Sequence, residues 1–444
     1  MTKKKTPPTN SPDATANELK KAPQDGDTPA TIQSLKPSIK KSVEAFVCEV
    51  DALADTIPLV MPLVSLSMAE VTKEFNAFLD GRCQKLGNGT FSIPPDEYIE
   101  FSNFQRRLQR NKRALQIIPR SFLTSLVSHY DAFIGSLLRA VFYMKPEVLN
   151  SSENHVTFKD LMTFASLDAA RESVIEKEVE AVLRESHPDQ FKWMESRFNV
   201  PLTKDLPSWP TFVEVTERRN LFVHCNGVVS AQYLSVCKRH GVDCSNVKLG
   251  EELHVSGKYF KVAYSTIIEV GAKLAHVLWR RLKPEEMDDA DASLNNLCLD
   301  LIRDEKYTVA QTLLDFAARY KSFGSESGRK IFILNQAQAY KWAGKEKRAL
   351  EILSGEDWDA SNEKFQLGAA VLRDDFKNAS VIMRHIGPDS SPAKGDYKEW
   401  PMFKTFRATS EFASAYKDVF GEPFGSVTTD ELPAKTDIKA ELLQ

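Results

Sequence analysis

The sequence predicts an all-α protein: a four- to five-helix bundle followed by an array of α-α hairpins. Two patterns point there. Apolar residues recur at three- and four-residue spacing from Ser38 to Leu282, the period of helices with one buried face. Beyond Leu294, paired helical segments repeat at an interval near 40 residues, which marks a stacked helical array. The composition, 42% hydrophobic and 27% charged over 444 residues, is that of an ordinary soluble chain with room for two or three domains.

Residues 1–36 are rich in Lys, Thr, Pro, Asp and Ala, with too few large apolar side chains to offset the entropy of ordering, so a disordered tail is expected. Residues 37–118 read as a helical N-terminal region. KKSVEAFVCEVDALADTI and SMAEVTKEFNAFLDGRC carry the helical spacing, and GNGTFSIPPDEY interrupts it. The longest apolar run, IPLVMPLVSLSMA from Ile57, contains two prolines and is shorter than the roughly 20 residues that span a bilayer. In FSNFQRRLQRNKRALQIIPR a narrow stripe of Phe101, Phe104, Leu108 and Leu115 accompanies six positive charges and no acid. Such a run is either a solvated helix face or a track for an RNA backbone. Arg106, Arg107, Arg110, Lys112 and Arg113 are the candidate substrate-binding residues.

Residues 119–283 form the bundle. RSFLTSLVSHYDAFIGSLLRAVFYM is apolar over a wide face, with Asp131 at its edge, either a counter-ion for a buried arginine or a rim residue in water. Helices follow near FKDLMTFASLDAARESVIEKEVEAVLRES, around Thr211, through SAQYLSVCKRHG and in KYFKVAYSTIIEVGAKLAHVLWRRLK. Acidic residues 284–292 read as a linker. In 293–420, LNNLCLDLIRDEKYTVAQTLLDFA and LNQAQAYKWAGKEKRALEIL start 40 residues apart, and FQLGAAVLRDDFKNASVIMRHI is a weaker third copy. Ala310, Ala349 and Ala379 fall in matching small-residue slots. These units resemble tetratricopeptide repeats, a likeness that implies a surface for a protein or peptide; a plain helical bundle is the alternative. Residues 421–444 read as a flexible tail.

A net charge of -3 excludes a globally basic nucleic-acid-binding chain, so any phosphate contact must come from a local patch. Six scattered cysteines, and a basic start with no apolar segment behind it, point to a reducing cytoplasm. H-E-x-x-H, G-x-S-x-G and a Gly-rich dinucleotide turn are all missing, and Gly324 and Gly328 ahead of Arg329 have the wrong spacing for a P-loop. His224, Cys225, Cys237, His240 and Cys244 offer soft ligands for zinc but no C-x-x-C pair, and helix cysteines also serve as small hydrophobes. No metal and no cofactor is expected.

One stretch breaks the amphipathic pattern. Wound as a helix, TERRNLFVHCNG and the residues before it put Phe212, Val215, Phe222 and Val223 on one stripe with Arg219 near its centre; Asn220 and His224 share the adjoining flank. Asn226-Gly227 is a helix stop, which leaves His224 in the last turn at the carbonyl end. Histidine takes and gives protons near neutrality, and arginine fits phosphate oxygens. The pair suffices to deprotonate a ribose 2′-hydroxyl for attack on the neighbouring phosphorus and to stabilise the charge that gathers there. The alternative is a hydrogen-bond network of Arg219 and Asn220 that closes the bundle, with His224 merely packed.

R-N-L-F-V-H, Arg219–His224, set in a late helix of an all-helical bundle with Asn-Gly just after it, resembles the R-x(4-6)-H signature of the HEPN superfamily. The resemblance implies that Arg219 and His224 are a catalytic pair positioned by Asn220. It also implies a metal-independent endoribonuclease, acting as a homodimer, that serves as a toxin or effector in anti-phage defence or abortive infection. Its substrate is RNA, and the repeats take a protein regulator or antitoxin. The resemblance equally allows an inactive member that serves as a scaffold or adaptor.

Overall fold

The computed structural model describes residues 37–151 and 156–425. The expected tail at 1–36 and most of the one at 421–444 lie outside the described residues. Helices dominate the rest, and the all-α class holds; the exception is a two-stranded hairpin.

Helices α1 (Ile39–Arg82) and α2 (Tyr98–Met144) run antiparallel as a long arm. Their register is visible in the cross-links: Ser42 meets Ser136 at 2.7 Å, Arg107 reaches Glu74 at 2.8 Å, and Arg82 reaches Glu100 at 2.8 Å. The segment expected to interrupt the helices caps the arm as strands β1 (Gln84–Gly87) and β2 (Thr90–Ser92). Gly87, Asn88 and Gly89 all have positive φ, the reason G-N-G closes the turn.

Two expectations are corrected here. The boundary at 118/119 does not exist: α2 runs straight through Pro119, so the basic segment and the core helix are one element. The apolar run from Ile57, expected to be too short and too proline-broken to span a bilayer, lies inside the 44-residue α1, which continues through Pro58 and Pro62. Among the described residues α1 alone is long and apolar enough to cross a membrane, and none of its apolar window is buried. Its pairing with α2, which bears Arg106, Arg107, Arg110, Lys112 and Arg113, is one that a bilayer interior penalises.

The lower half of the arm enters the core. It packs with α4 (Leu167–Leu183), α6 (Trp209–His224) and α8 (Gly257–Leu282); α3 (Phe158–Leu161), α5 (His187–Phe198) and α7 (Ala231–Arg239) complete this part. A Cβ on Gly271 would lie 2.6 Å from the Phe46 ring, so α8 reaches α1 only because that residue is glycine.

The acidic stretch 284–292 is not a linker. It folds as a short 3-10 turn, Pro284–Glu286, and the start of α9 (Met287–Arg303), with Ala290 and Asp291 buried. Asp291 takes the Arg280 guanidinium and the Gly324 amide, the latter at 2.8 Å. One hydrophobic core therefore runs from Ile39 to Ala339 across the expected boundary. Three helical hairpins follow: α9 with α10 (Tyr307–Ala317), α11 (Glu326–Trp342) with α12 (Glu346–Ser354), and α13 (Glu363–Leu372) with α14 (Phe376–Ile386). Ala310, Ala349 and Ala379 are all buried. Helices α15 (Lys394–Glu399) and α16 (Ser410–Phe420) close a second core with α13 and α14.

His276 on α8 is fully buried, with neither ring nitrogen hydrogen-bonded. Burial, then the nearby Arg280 charge, pushes its pKa down to about 3. The folded state thus keeps it neutral, while the unfolded chain takes up a proton below pH 6.5, so stability falls as pH drops from 6.5 towards 3. From pH 7 to pH 5 the wild type is expected to lose about 2 kcal/mol more than His276→Leu, measured by urea unfolding at both pH values.

Candidate functional site

Helix α6 carries the arginine–histidine motif. Its buried side is Phe212, Val213, Val215, Thr216 and Leu221. Val223, expected on that stripe, is instead 51% exposed, and Phe222 is half-buried. Arg219 accordingly sits at the edge of the buried face, with its side chain 19% exposed.

Two polar clusters fix α6 in place. In the first, Glu214 accepts from Arg218 at 2.6 Å, from the Tyr233 hydroxyl at 2.7 Å and from the Tyr259 hydroxyl at 2.6 Å. The Arg218 guanidinium lies 4.0 Å from the centre of the Tyr259 ring and also donates to the His254 carbonyl at 3.1 Å. Burial first, then the Glu214 charge, drives both phenols far above their ordinary pKa. α7 and α8 are thereby tied to α6 through one carboxylate.

The second cluster surrounds Arg219. Its guanidinium forms an ion pair with Asp131 of α2 and donates to Asn220 Oδ1 at 3.2 Å. Asp131 also meets His187 Nε2 at 2.8 Å. Asn220 donates to Glu217 at 3.3 Å, so it engages Arg219 and Glu217 and not the imidazole of His224. Burial raises the Glu217 carboxyl above the usual range, opposed by the charges of His187 and Arg219. His187, the first residue of α5, went unnoticed in the sequence. Its Ser186 cap announces a helix start, but nothing local points to a carboxylate 56 residues earlier.

His224 ends α6, exposed and without a hydrogen bond or ion pair among the described residues. Asn226 and Gly227 both take positive φ, and the amides of Cys225 and Gly227 fold back onto the Leu221 carbonyl at 2.8 and 2.9 Å. Asn-Gly supplies that stop because both residues tolerate left-handed backbone.

The basic stripe approaches from α2. Arg106, Arg110 and Arg113 recur every turn and line a shallow trough of about 470 Å³ with Gln109, Ala114 and Ile117. Arg107 is diverted to Glu74, and Lys112 is exposed on the flank. Two turns beyond Arg113, Arg120 donates to the Asn226 carbonyl at 3.1 Å, to Glu252 at 2.7 Å and to the Leu253 carbonyl at 3.1 Å. The Glu252 carboxyl is held below its usual range by Arg120, with Arg113 adding to the effect. The stripe thus ends on the loop that follows His224.

The soft-ligand residues do not converge. Cys225 is exposed, Cys237 buried, Cys244 half-buried, and His240 accepts from Trp209 at 3.3 Å. Among the described residues no group of three or more His, Cys, Asp or Glu is placed to hold a metal ion, which corrects the zinc alternative. A cavity of about 730 Å³ between α8 and α10, lined by Lys273, Val277, Phe316 and Tyr320, contains none of the motif residues.

Fold and site together define an all-α protein in which a bundle displays an arginine and a histidine at one helix end, with a basic arm above them and helical hairpins behind. Compared with known family models, curated proteins and solved structures, the chain matches none of them.

Proposed function

We propose that the chain is a metal-independent endoribonuclease of the HEPN type, acting as a homodimer. The observation that carries it is the convergence at the end of α6: exposed His224 stands beside the loop on which the basic stripe Arg106, Arg110, Arg113 terminates through Arg120. An RNA backbone laid along the stripe is led to His224 by its phosphates. His224 removes the 2′-hydroxyl proton, O2′ attacks phosphorus, and the P–O5′ bond breaks as the imidazolium returns that proton to the 5′-oxygen, leaving a cyclic phosphate end. Arg219, oriented by Asp131, supplies positive charge to the phosphoryl oxygens.

A toxin or defence effector needs restraint, and the hairpins suit that role as tetratricopeptide-like units. Their first helices, α9, α11 and α13, line a groove of about 270 Å³ with Asn295, Asn335, Gln338 and Phe365, a surface for a protein regulator.

A second reading is favoured by one observation: two Arg219 nitrogens are taken by Asp131 and Asn220, and Nε is buried without a partner. Here the arginine is structural and the protein is an adaptor. Cleavage of RNA in excess EDTA decides between them. Wild type is expected to leave cyclic phosphate ends, and His224→Ala to lose roughly 100-fold or more in rate while melting like wild type. Equal cleavage by both proteins overturns the assignment of His224.

A further inference from the structure

We propose that two copies of the chain pair antiparallel through the outer face of α1. This names an interface for the homodimer proposed above and is argued from α1 alone, so the ribonuclease chemistry does not depend on it.

Helix α1 carries two seams. The inner one, at the four-and-three spacing of a coiled coil, includes Ile57, Val64, Val71, Phe75 and Phe78; Phe75 and Phe78 pack on Phe101 and Phe104 of α2. The outer one keeps the same spacing two residues out of phase: Asp55, Leu59, Pro62, Leu66, Ala69 and Lys73. Two residues are 200° of turn, so this seam points away from α2. Every member is exposed, Leu59 by 69% and Leu66 by 65%, and Leu63 on its flank by 66%. A helix apolar on both sides belongs between two partners, and the chain itself supplies one.

The outer seam is complementary to itself. Turned end for end about Val64, it maps Leu59 onto Ala69, Pro62 onto Leu66 and Asp55 onto Lys73. Each large side chain then meets a smaller one, and each end is closed by opposite charges, twice over by symmetry. Lys73 has no ion-pair partner among the described residues, and Asp55 makes no direct pair, its charge acting at longer range on Lys306, which is bonded to Asp51 at 2.9 Å. The contact spans about 27 Å at 1.5 Å per residue.

Charge also selects against the competing occupant. On α2 the same two-residue offset from Phe104, Leu108 and Asn111 places Arg106, Arg110 and Arg113 on the opposite side of the arm. Copies joined through α1 therefore keep their basic stripes apart. An anionic lipid surface would instead meet the side that bears Asp55 and Glu70, remote from those arginines.

Sedimentation velocity of the full chain at micromolar concentration tests this. The expected mass is twice 50.0 kDa. Leu59→Glu with Leu66→Glu is expected to give monomer with unchanged melting, since both side chains are exposed. Asp55→Lys and Lys73→Asp should each weaken the dimer roughly tenfold, and the two together should restore it. A monomeric wild type overturns the proposal, including one that adheres to lipid vesicles or takes up another protein. So does a dimer that survives the glutamates, or a charge swap without rescue.

Discussion

Glu214→Ala is expected to remove a large part of the protein's stability, on the order of 5 kcal/mol against a usual total of about 5–15. Three donors converge on this carboxylate, and two of them are phenols, buried Tyr233 and half-buried Tyr259, with no other acceptor among the described residues. Removing it strands the Arg218 guanidinium, 14% exposed, which alone costs about 3–5 kcal/mol when such a pair is fully buried. The Tyr259 ring and the His254 carbonyl retain part of that charge, so the arginine contributes towards the lower end. The hydroxyls of Tyr233 and Tyr259 add about 1–3 kcal/mol each if left unsatisfied. Glu214→Gln keeps an acceptor and should lose about half as much. Urea unfolding followed by circular dichroism measures both; a loss below about 1 kcal/mol for alanine would mean that apolar packing, not this carboxylate, holds α6 to α7 and α8.

How much of this was legible depends on the range of each interaction. The helical class, the Asn226-Gly227 stop and the hairpins with their buried alanines are local in origin, set by periodicity and by backbone that few residue types adopt. The prolines misled because Pro58, Pro62 and Pro119 each remove one intrahelical bond, a local cost that the continuous pairing of α1 with α2 outweighs. The acidic residues 284–292 read as solvent-loving, yet Asp291 is buried because Arg280 and the Gly324 amide arrive from residues far apart in sequence. Nothing in the sequence singles out Glu214 for the same reason: its phenols come from positions 19 and 45 residues later. Charge clusters are assembled by tertiary structure, and single-sequence periodicity sees only one member at a time.

The pair Arg219 and Asp131 gives the sharpest separation of enzyme from adaptor. Asp131→Ala is expected to cost about 2–4 kcal/mol, because it leaves a guanidinium that is only 19% exposed with Asn220 as its remaining acceptor. Arg219→Ala should cost less, about 1 kcal/mol: Asp131 is 33% exposed and keeps His187 at 2.8 Å. The double variant should recover most of the Asp131→Ala loss, since an ion pair removed whole leaves no stranded charge. If Arg219 serves only the fold, any function of the protein recovers along with stability in the double variant. If Arg219 stabilises the phosphoryl transition state, cleavage in EDTA stays lost in the double variant although the protein is folded again, by roughly 100-fold or more. Unfolding curves and cleavage rates on the same four proteins therefore assign the arginine to one role or the other, because a stability defect is rescued by deleting its partner and a missing cation at the phosphate is not.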